Sequence, residues 1–348
     1  MSSVRALEFY SGIGGLHHAL SNSRPDAQVL KAYDWDPTSC QVYSANFPGP
    51  ISSRQKDISA LTAAELADLN ANLWLMSPAC QPYTVLNPQA KGAADPRAQS
   101  FLHVVQTVLP ELAQTDRHPS YILVENVAGF ETSTTRQELL RVLRSIGYNT
   151  LELLLTPLQY GIPNSRLRYY LLARKRPLEF PKEDKVWRHI PGLPEESDAE
   201  VTSLKHYLDS EVDGGRRVPD KILTKWGRLF DIVLPSSKRT CCFTRGYTHM
   251  VERTGSILQE TEELDTTTVF NEFMQAQSEG KADAIEILHR LRLRYFTPSE
   301  LLRIFAFDER SFVWPPSVST KTKYRLIGNS VNVRVVQELI SYLLNHDN

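Results

Sequence analysis

The sequence runs to 348 residues, 41% of them hydrophobic, 23% charged and 9% aromatic. That balance is too apolar and too weakly charged for a disordered chain, and the length suits about two folded units. Its 39 lysines and arginines meet 40 aspartates and glutamates, for a net charge of −1, so any nucleic-acid partner has to be met by a local basic patch rather than by a whole-molecule field.

In chain order, VRALEFY reads as a first strand, followed by the glycine turn SGIGG and a helix beginning LHHAL. AQVLKAY is a second strand closed by DWD, a short third strand ends at Asp57 and Ile58, and LWLM is a fourth. After a polar loop, Phe101, Leu102, Val105, Val108, Leu109 and Leu112 recur at helical spacing. SYILV is a fifth strand, TTRQELLRVLRSIGY a helix stopped by Gly147, and TLELLL and RLRYYLLA two more strands. This alternation predicts an α/β fold with a mainly parallel, Rossmann-like sheet over residues 1–176. From 177 to 220 the chain turns proline-rich and charged, as a linker or mobile loop does. Residues 221–317 read as a second, smaller unit, in which Thr297, Pro298 and Glu300 form a capping box that starts a helix. Residues 318–348 end in an amphipathic helix and return to the first unit.

No stretch approaches the roughly 20 apolar residues of a membrane span, and MSSVRALEFYSG lacks the pattern of a signal peptide. Four scattered cysteines, Cys40, Cys80, Cys241 and Cys242, make neither a disulfide framework nor a CxxC zinc pair. The expectation is an intracellular protein, cytoplasmic, nuclear or both, with no metal and no membrane partner.

Ligands of open parallel sheets bind beyond the carboxyl ends of the strands. Here five successive strands end in polar clusters: Ser11 to Gly15, Asp34 to Asp36, Asp57, Ser77 to Cys80, and Glu125 with Asn126. GIGG places His17 where the dinucleotide fingerprint needs its third glycine, and no P-loop exists. What remains is a turn that lets backbone approach a ligand, with Asp34 positioned for a ribose diol, Trp35 for stacking on a purine and Asp57 for an exocyclic amine. A nucleoside without a pyrophosphate fits, and S-adenosylmethionine is the obvious candidate. The blander alternatives are Trp35 as a surface aromatic and Asp57 as a helix cap.

Cys80 lies in the proline-flanked loop SPACQP directly after a strand, away from any apolar periodic face. A nucleophilic thiol needs a base or a positive charge beside it, which Arg97, Arg166 and Arg168 could supply. Glu125 closes the next strand and could protonate or hold a heterocycle.

These residues resemble the cytosine 5-methyltransferase family: EFYSGIGG, YDWD, Asp57-Ile58, SPACQP, ENV, QYGIPNSRLRYY and GNSVNVRVV look like its ordered motifs. MSPACQPYT and CFTRGYTHMVERTGS further resemble its tRNA aspartate methyltransferase branch. The resemblance implies Cys80 as covalent nucleophile, Glu125 at ring nitrogen 3, and Arg166 and Arg168 positioning the base and favouring the thiolate. It also implies a methyl donor on Ile13, Gly14, Gly15, Asp34, Trp35, Asp57, Ile58, Ser77 and Ser330. One departure is Ala79, where the family usually has a proline that stiffens the loop.

A tRNA partner, specifically cytosine 38 in the anticodon loop of aspartate tRNA, follows from the branch, because an unpaired cytosine spares the cost of extrusion from a duplex. Lys238, Arg239, Arg245, His249 and Arg253 form a local basic stretch for phosphates, and Cys242, Thr244 and Tyr247, from the run that points to the branch, are expected at the RNA with them. A monomer is expected. The rival readings are DNA cytosine methylation, a binding module that has lost turnover, and a nicotinamide-dependent oxidoreductase.

Overall fold

Strand β1 (Arg5–Phe9) is buried on both faces from Ala6 onward, as a strand covered on both sides is. Ala6 packs into one core cluster while Leu7 and Phe9 pack into another across the sheet. The computed structural model describes residues 3–49, 54–83, 94–181, 185–192, 200–210, 216–249 and 254–345. Strands β2 (Gln28–Asp34), β3 (Arg54–Gln55), β4 (Leu73–Met76), β5 (Tyr121–Val127), β6 (Tyr148–Leu155), β7 (Arg168–Lys175) and β8 (Val186–Trp187) complete the large sheet. Its order is β3-β2-β1-β4-β5-β7-β6-β8, and β7 runs antiparallel to both neighbours.

Strand order therefore reverses direction between β1 and β4, and a crevice opens at the carboxyl ends there. Phe9 pairs with Met76, and Met76 in turn with Val124. This register brings the glycine turn, the Cys80 loop and Glu125 to one edge. Because β7 is antiparallel, its beginning lies at that same edge, with Arg168 opposite Val127.

The predicted long helix is interrupted. Helix Gln99–His103 leads into a wider turn at Val104–Val108, closed by the Leu109 N–H to the Val104 carbonyl, before Leu109–Gln114 resumes. Pro110 has no N–H to donate to the preceding turn, which accounts for the slack. The capping box at Thr297 is present and starts helix Pro298–Ile304.

Two domain expectations differ from the structure. The 177–220 segment contributes β8 to the sheet edge, where it pairs with Glu152 and Leu153, and buries Leu204 completely. A two-residue strand has no periodicity to read, so the polar composition hid it. The second unit is a three-stranded sheet of β9 (Ile232–Val233), β10 (Ile257–Gln259) and β11 (Leu293–Arg294), in the order β11-β10-β9. Val218, Leu223, Val269, Phe270, Phe273, Leu288 and Leu293 form its core. That core ends near β11 rather than at 317, because Phe296, Leu301, Leu302, Ile304, Phe305, Phe307 and Phe312 join the core of the large sheet.

The two units are stitched by buried charge. Arg294 bridges Glu260 at 2.6 Å and Glu300 at 2.8 Å, and Glu300 also accepts the N–H groups of Thr297 and Asp209. Helix Val333–Leu344 lays its apolar face against helix Gly15–Ser23 and so seats the C-terminal segment on the first unit.

Candidate active site

The glycine turn owes its shape to residues that tolerate positive φ. Gly14 has φ +87, and a Cβ there would stand 2.4 Å from the Phe47 ring. At Gly15 the constraint is space, since a Cβ would lie 2.8 Å from Val331 Cγ2 and 2.9 Å from Ser330 Oγ. The close approach places Ser330, from the far end of the chain, beside the turn.

Asp34 ends β2 and is buried. Its Oδ2 accepts the Gly12 N–H at 2.8 Å and its Oδ1 accepts the Asp36 N–H at 2.9 Å. Burial outweighs these bonds and pushes the carboxyl above its ordinary range. Trp35 beside it is 74% exposed, an indole with one of its faces open to a ligand. Asp36 caps helix Pro37–Asn46 and pairs with Arg325 at 2.5 Å.

Asp57 caps the short turn Ile58–Ala60 through the Ser59 N–H, as the blander alternative had it, and keeps further acceptor capacity. Ile13 and Ile58 are core side chains, so the main chain is what they offer a ligand. Ser77 ties the end of β4 to β1: its N–H donates to the Phe9 carbonyl at 3.3 Å and its hydroxyl to the Tyr10 carbonyl at 3.0 Å.

The Cys80 loop is anchored at both sides. Asn126 Nδ2 donates to the Pro78 carbonyl at 3.2 Å, and the Tyr83 N–H donates to the Cys80 carbonyl at 3.0 Å. Residues 84–93 lie outside the described residues. Around the Cys80 thiol, burial raises the pKa, Arg168 and Arg166 lower it and Glu125 raises it, and the net result is upward. Arg97 is turned aside to chelate Asp95, at 2.6 and 2.9 Å.

Glu125 is buried and its carboxyl is pushed up by that burial against the pull of Arg168 and Arg166. Arg168 Nε stands 3.5 Å from Glu125 Oε1. Arg166 is buried, and burial lowers its pKa. It donates to the carbonyls of Phe243 at 3.0 Å, Ser330 at 2.6 Å and Gly328 at 3.4 Å, and its guanidinium lies 5.0 Å from the Phe305 ring centre. One arginine thus joins the second unit, the C-terminal segment and the strand edge.

A thiol, a buried carboxyl and two guanidiniums converge at the mouth of a sheet whose neighbouring edge carries a glycine turn, a carboxylate and an open indole. A model of the C-5 cytosine-specific DNA methylase family matches residues 4–345. The chain belongs to that family. It is 42% identical over 98% of its length to the Schizosaccharomyces pombe tRNA (cytosine(38)-C(5))-methyltransferase, of which it covers 97%. It is also 34% identical to the human protein of that name, with 99% of this chain and 100% of the relative covered. Among solved structures, a mutant Spodoptera frugiperda DNMT2 superposes with a TM-score of 0.84 at 37% identity, covering 99% of this chain and 100% of that one. These full-length likenesses establish the methyltransferase α/β fold for this chain.

The residues expected at RNA divide. Arg245 and His249 are exposed, and Thr244 is half-buried. Lys238 and Arg239 are exposed but engaged, with Glu200 at 2.7 Å and Asp231 at 2.8 Å. Tyr247 is a correction: it is buried, its hydroxyl donates to the Ser256 carbonyl and receives the Phe296 N–H, and it packs among Phe243, Tyr295 and Tyr324. An aromatic inside a polar run looked like a contact because the run gave no sign of the second unit's return to the core. Cys242 points back at Arg166 and Arg168. Arg253 lies outside the described residues.

Sequence reasoning named Asn126 at its strand end without giving it a role, and passed over Asn164 as a site-building residue. Asn164 Nδ2 donates to Thr240 Oγ1 at 2.9 Å and to the Cys241 carbonyl at 3.0 Å, which fixes the approach to Arg166 against the second unit. Asn126, adjacent to Glu125, was readable from its place at the strand end. Asn164 bridges 76 residues of sequence, and only its place in QYGIPNSRLRYY marked it.

Proposed function

We propose that this protein transfers a methyl group to carbon 5 of a cytosine in tRNA, cytosine 38 of the aspartate tRNA anticodon loop, through a covalent adduct at Cys80. The observation that carries this reading is the convergence of Cys80, Glu125, Arg166 and Arg168 at one strand edge. The names of its full-length relatives supply the substrate class.

The donor-side residues fit S-adenosylmethionine. The glycine turn gives close backbone approach, the Asp34 carboxylate keeps lone pairs for a ribose diol, and exposed Trp35 offers a face to adenine. Ile13, Gly14, Gly15, Asp57, Ile58, Ser77 and Ser330 complete the pocket. When bound there, the donor would supply an electrophilic methyl group on a sulfonium, whose sulfur keeps the electrons of the broken S–CH3 bond and leaves as a neutral thioether.

Carbon 5 of cytosine is a poor nucleophile, and the protein's side chains change that. The Cys80 sulfur, its proton released to solvent, forms a bond to carbon 6 while Glu125 gives a proton to ring nitrogen 3, so that an enamine forms and carbon 5 becomes nucleophilic. Burial keeps that proton on Glu125 to higher pH than on an ordinary carboxyl, as a general acid requires. Arg168 and Arg166 offset the negative charge on sulfur. Once carbon 5 carries the methyl group, it loses its hydrogen as a proton to a base, the carbon–sulfur electrons return to Cys80, and nitrogen 3 returns its proton to Glu125.

The rival with a specific observation behind it is DNA methylation, since a Dictyostelium discoideum relative 36% identical over 99% of this chain is named DNA (cytosine-5)-methyltransferase. Labelled-methyl transfer to total tRNA and duplex DNA offered side by side, with the modified nucleotide mapped, separates the two. Label at one anticodon-loop cytosine is the expected result; label only in DNA overturns the tRNA reading.

A further inference from the structure

Cys241 and Cys242 are neighbours in sequence and opposites in setting. Burial and the Asp231 carboxylate push the Cys241 thiol up to about 11. The Cys242 sulfur lies 3.4 Å from Arg166 Nη1 and 3.5 Å from Arg168 Nη2, so a single atom touches both cations of the candidate site. Burial opposes its ionisation, but the two guanidiniums prevail and hold the thiol below its ordinary range.

The same guanidiniums serve Cys80, whose thiol stays above its ordinary range, and Arg97 adds a more distant interaction. Glu125 and Tyr170 also act on Arg166 and Arg168, and burial pushes the Tyr170 hydroxyl well above its ordinary range, so it adds no charge there. Two thiols and one carboxyl therefore share two positive charges, and the better-placed thiol is not the candidate nucleophile.

We infer that Cys242 is a positioning residue for the methyl transfer: its sulfur spans the guanidiniums of Arg166 and Arg168 and, as their counter-ion, sets how much of their positive charge reaches the Cys80 sulfur. In the RNA-free protein Cys242 is thus the more readily ionised of the two thiols and Cys80 the less. This role rests on the reading of Cys80 as nucleophile.

The test is alkylation of the full chain by iodoacetamide from mildly acidic to alkaline pH, with each cysteine quantified by peptide mass spectrometry, alongside the pH profile of single-turnover methylation. In the wild-type chain Cys242 reacts at lower pH than Cys80. In Cys242→Ala and Cys242→Ser the Cys80 midpoint falls by about one pH unit, so its alkylation near neutrality rises about tenfold, and the rising limb of the methylation profile moves the same way. Serine keeps an acceptor but carries no charge. A wild-type Cys80 midpoint in the serine variant therefore makes the role purely geometric and overturns the inference.

So does a Cys80 that titrates below Cys242 in the unmutated chain, a result that needs no variant to fold. Undiminished methyl transfer by Cys80→Ala, with Cys242 still reacting before Cys80 in the unmutated chain, sinks the covalent reading instead and leaves the charge-sharing intact.

Discussion

Glu8 sits in the middle of β1 with no exposed surface, one residue from the edge where the site forms. Tyr43 donates its hydroxyl to Glu8 Oε2 at 2.8 Å, and His17 Nδ1 lies 2.7 Å from that hydroxyl. Burial raises the Glu8 carboxyl from 4.5 to about 8. Between those values the folded protein holds a proton that the unfolded chain has released, so stability falls as pH rises through that window and the loss is complete above it. At about 1.36 kcal/mol per pH unit the full span is worth roughly 5 kcal/mol. Buried His17 and half-buried His18, lowered to about 3 and about 4, act in the opposite sense, adding stability as pH rises toward 6.5. Glu8→Gln removes only the first effect, so the difference between two urea-unfolding series, wild type and variant, isolates it. The variant should be close to wild type near pH 5 and gain on it by several kcal/mol by pH 9. A flat difference across that range refutes the claim that Glu8 is protonated in the folded protein at neutral pH.

Four other outcomes follow from the geometry. Asp34→Ala should weaken binding of the methyl donor roughly tenfold to a hundredfold, the worth of charge-assisted hydrogen bonds, as read by calorimetry; unchanged affinity removes the ribose assignment. Gly15→Ala drives a methyl into Val331 and Ser330 and should cost about 1–3 kcal/mol of stability as well as donor affinity, and a variant as stable as wild type shows that the segment yields freely. Arg294→Ala strands Glu300 in the core and should cost about 3–5 kcal/mol in urea unfolding, whereas a loss under about 1 kcal/mol means that water takes the place of the guanidinium. Cys80→Ala should abolish methyl transfer while donor binding stays within about twofold of wild type, a small change for a side chain outside the donor pocket; retained transfer ends the role assigned to Cys80.

The large sheet was legible because its strands are short apolar runs closed by polar clusters. The strand ends at Ser11, Asp34, Ser77 and Glu125 then gave the edge where the site assembles. Strand order was not legible: nothing local in RYYLLARK says that β7 inserts antiparallel between β5 and β6, although that inversion is what carries Arg168 to the site. Residues working through side-chain bonds over long sequence separations, such as Arg166 to Ser330 and Asn164 to Thr240, were visible only as members of a motif. The second unit was read least well. Its basic run mixes exposed Arg245 and His249 with paired Lys238 and Arg239, buried Tyr247 and inward-facing Cys242, and composition alone does not separate them.

The proposed covalent step is open to direct observation. A tRNA carrying 5-fluorocytosine at the target position can accept the sulfur at carbon 6 and the methyl at carbon 5, but it has no proton at carbon 5 to lose, so the adduct persists. With the methyl donor present, the protein should become bound to that RNA, with the linkage on the Cys80 peptide by mass spectrometry. Methylation of normal tRNA without any trapped adduct, or an adduct on Cys242 instead, contradicts the mechanism.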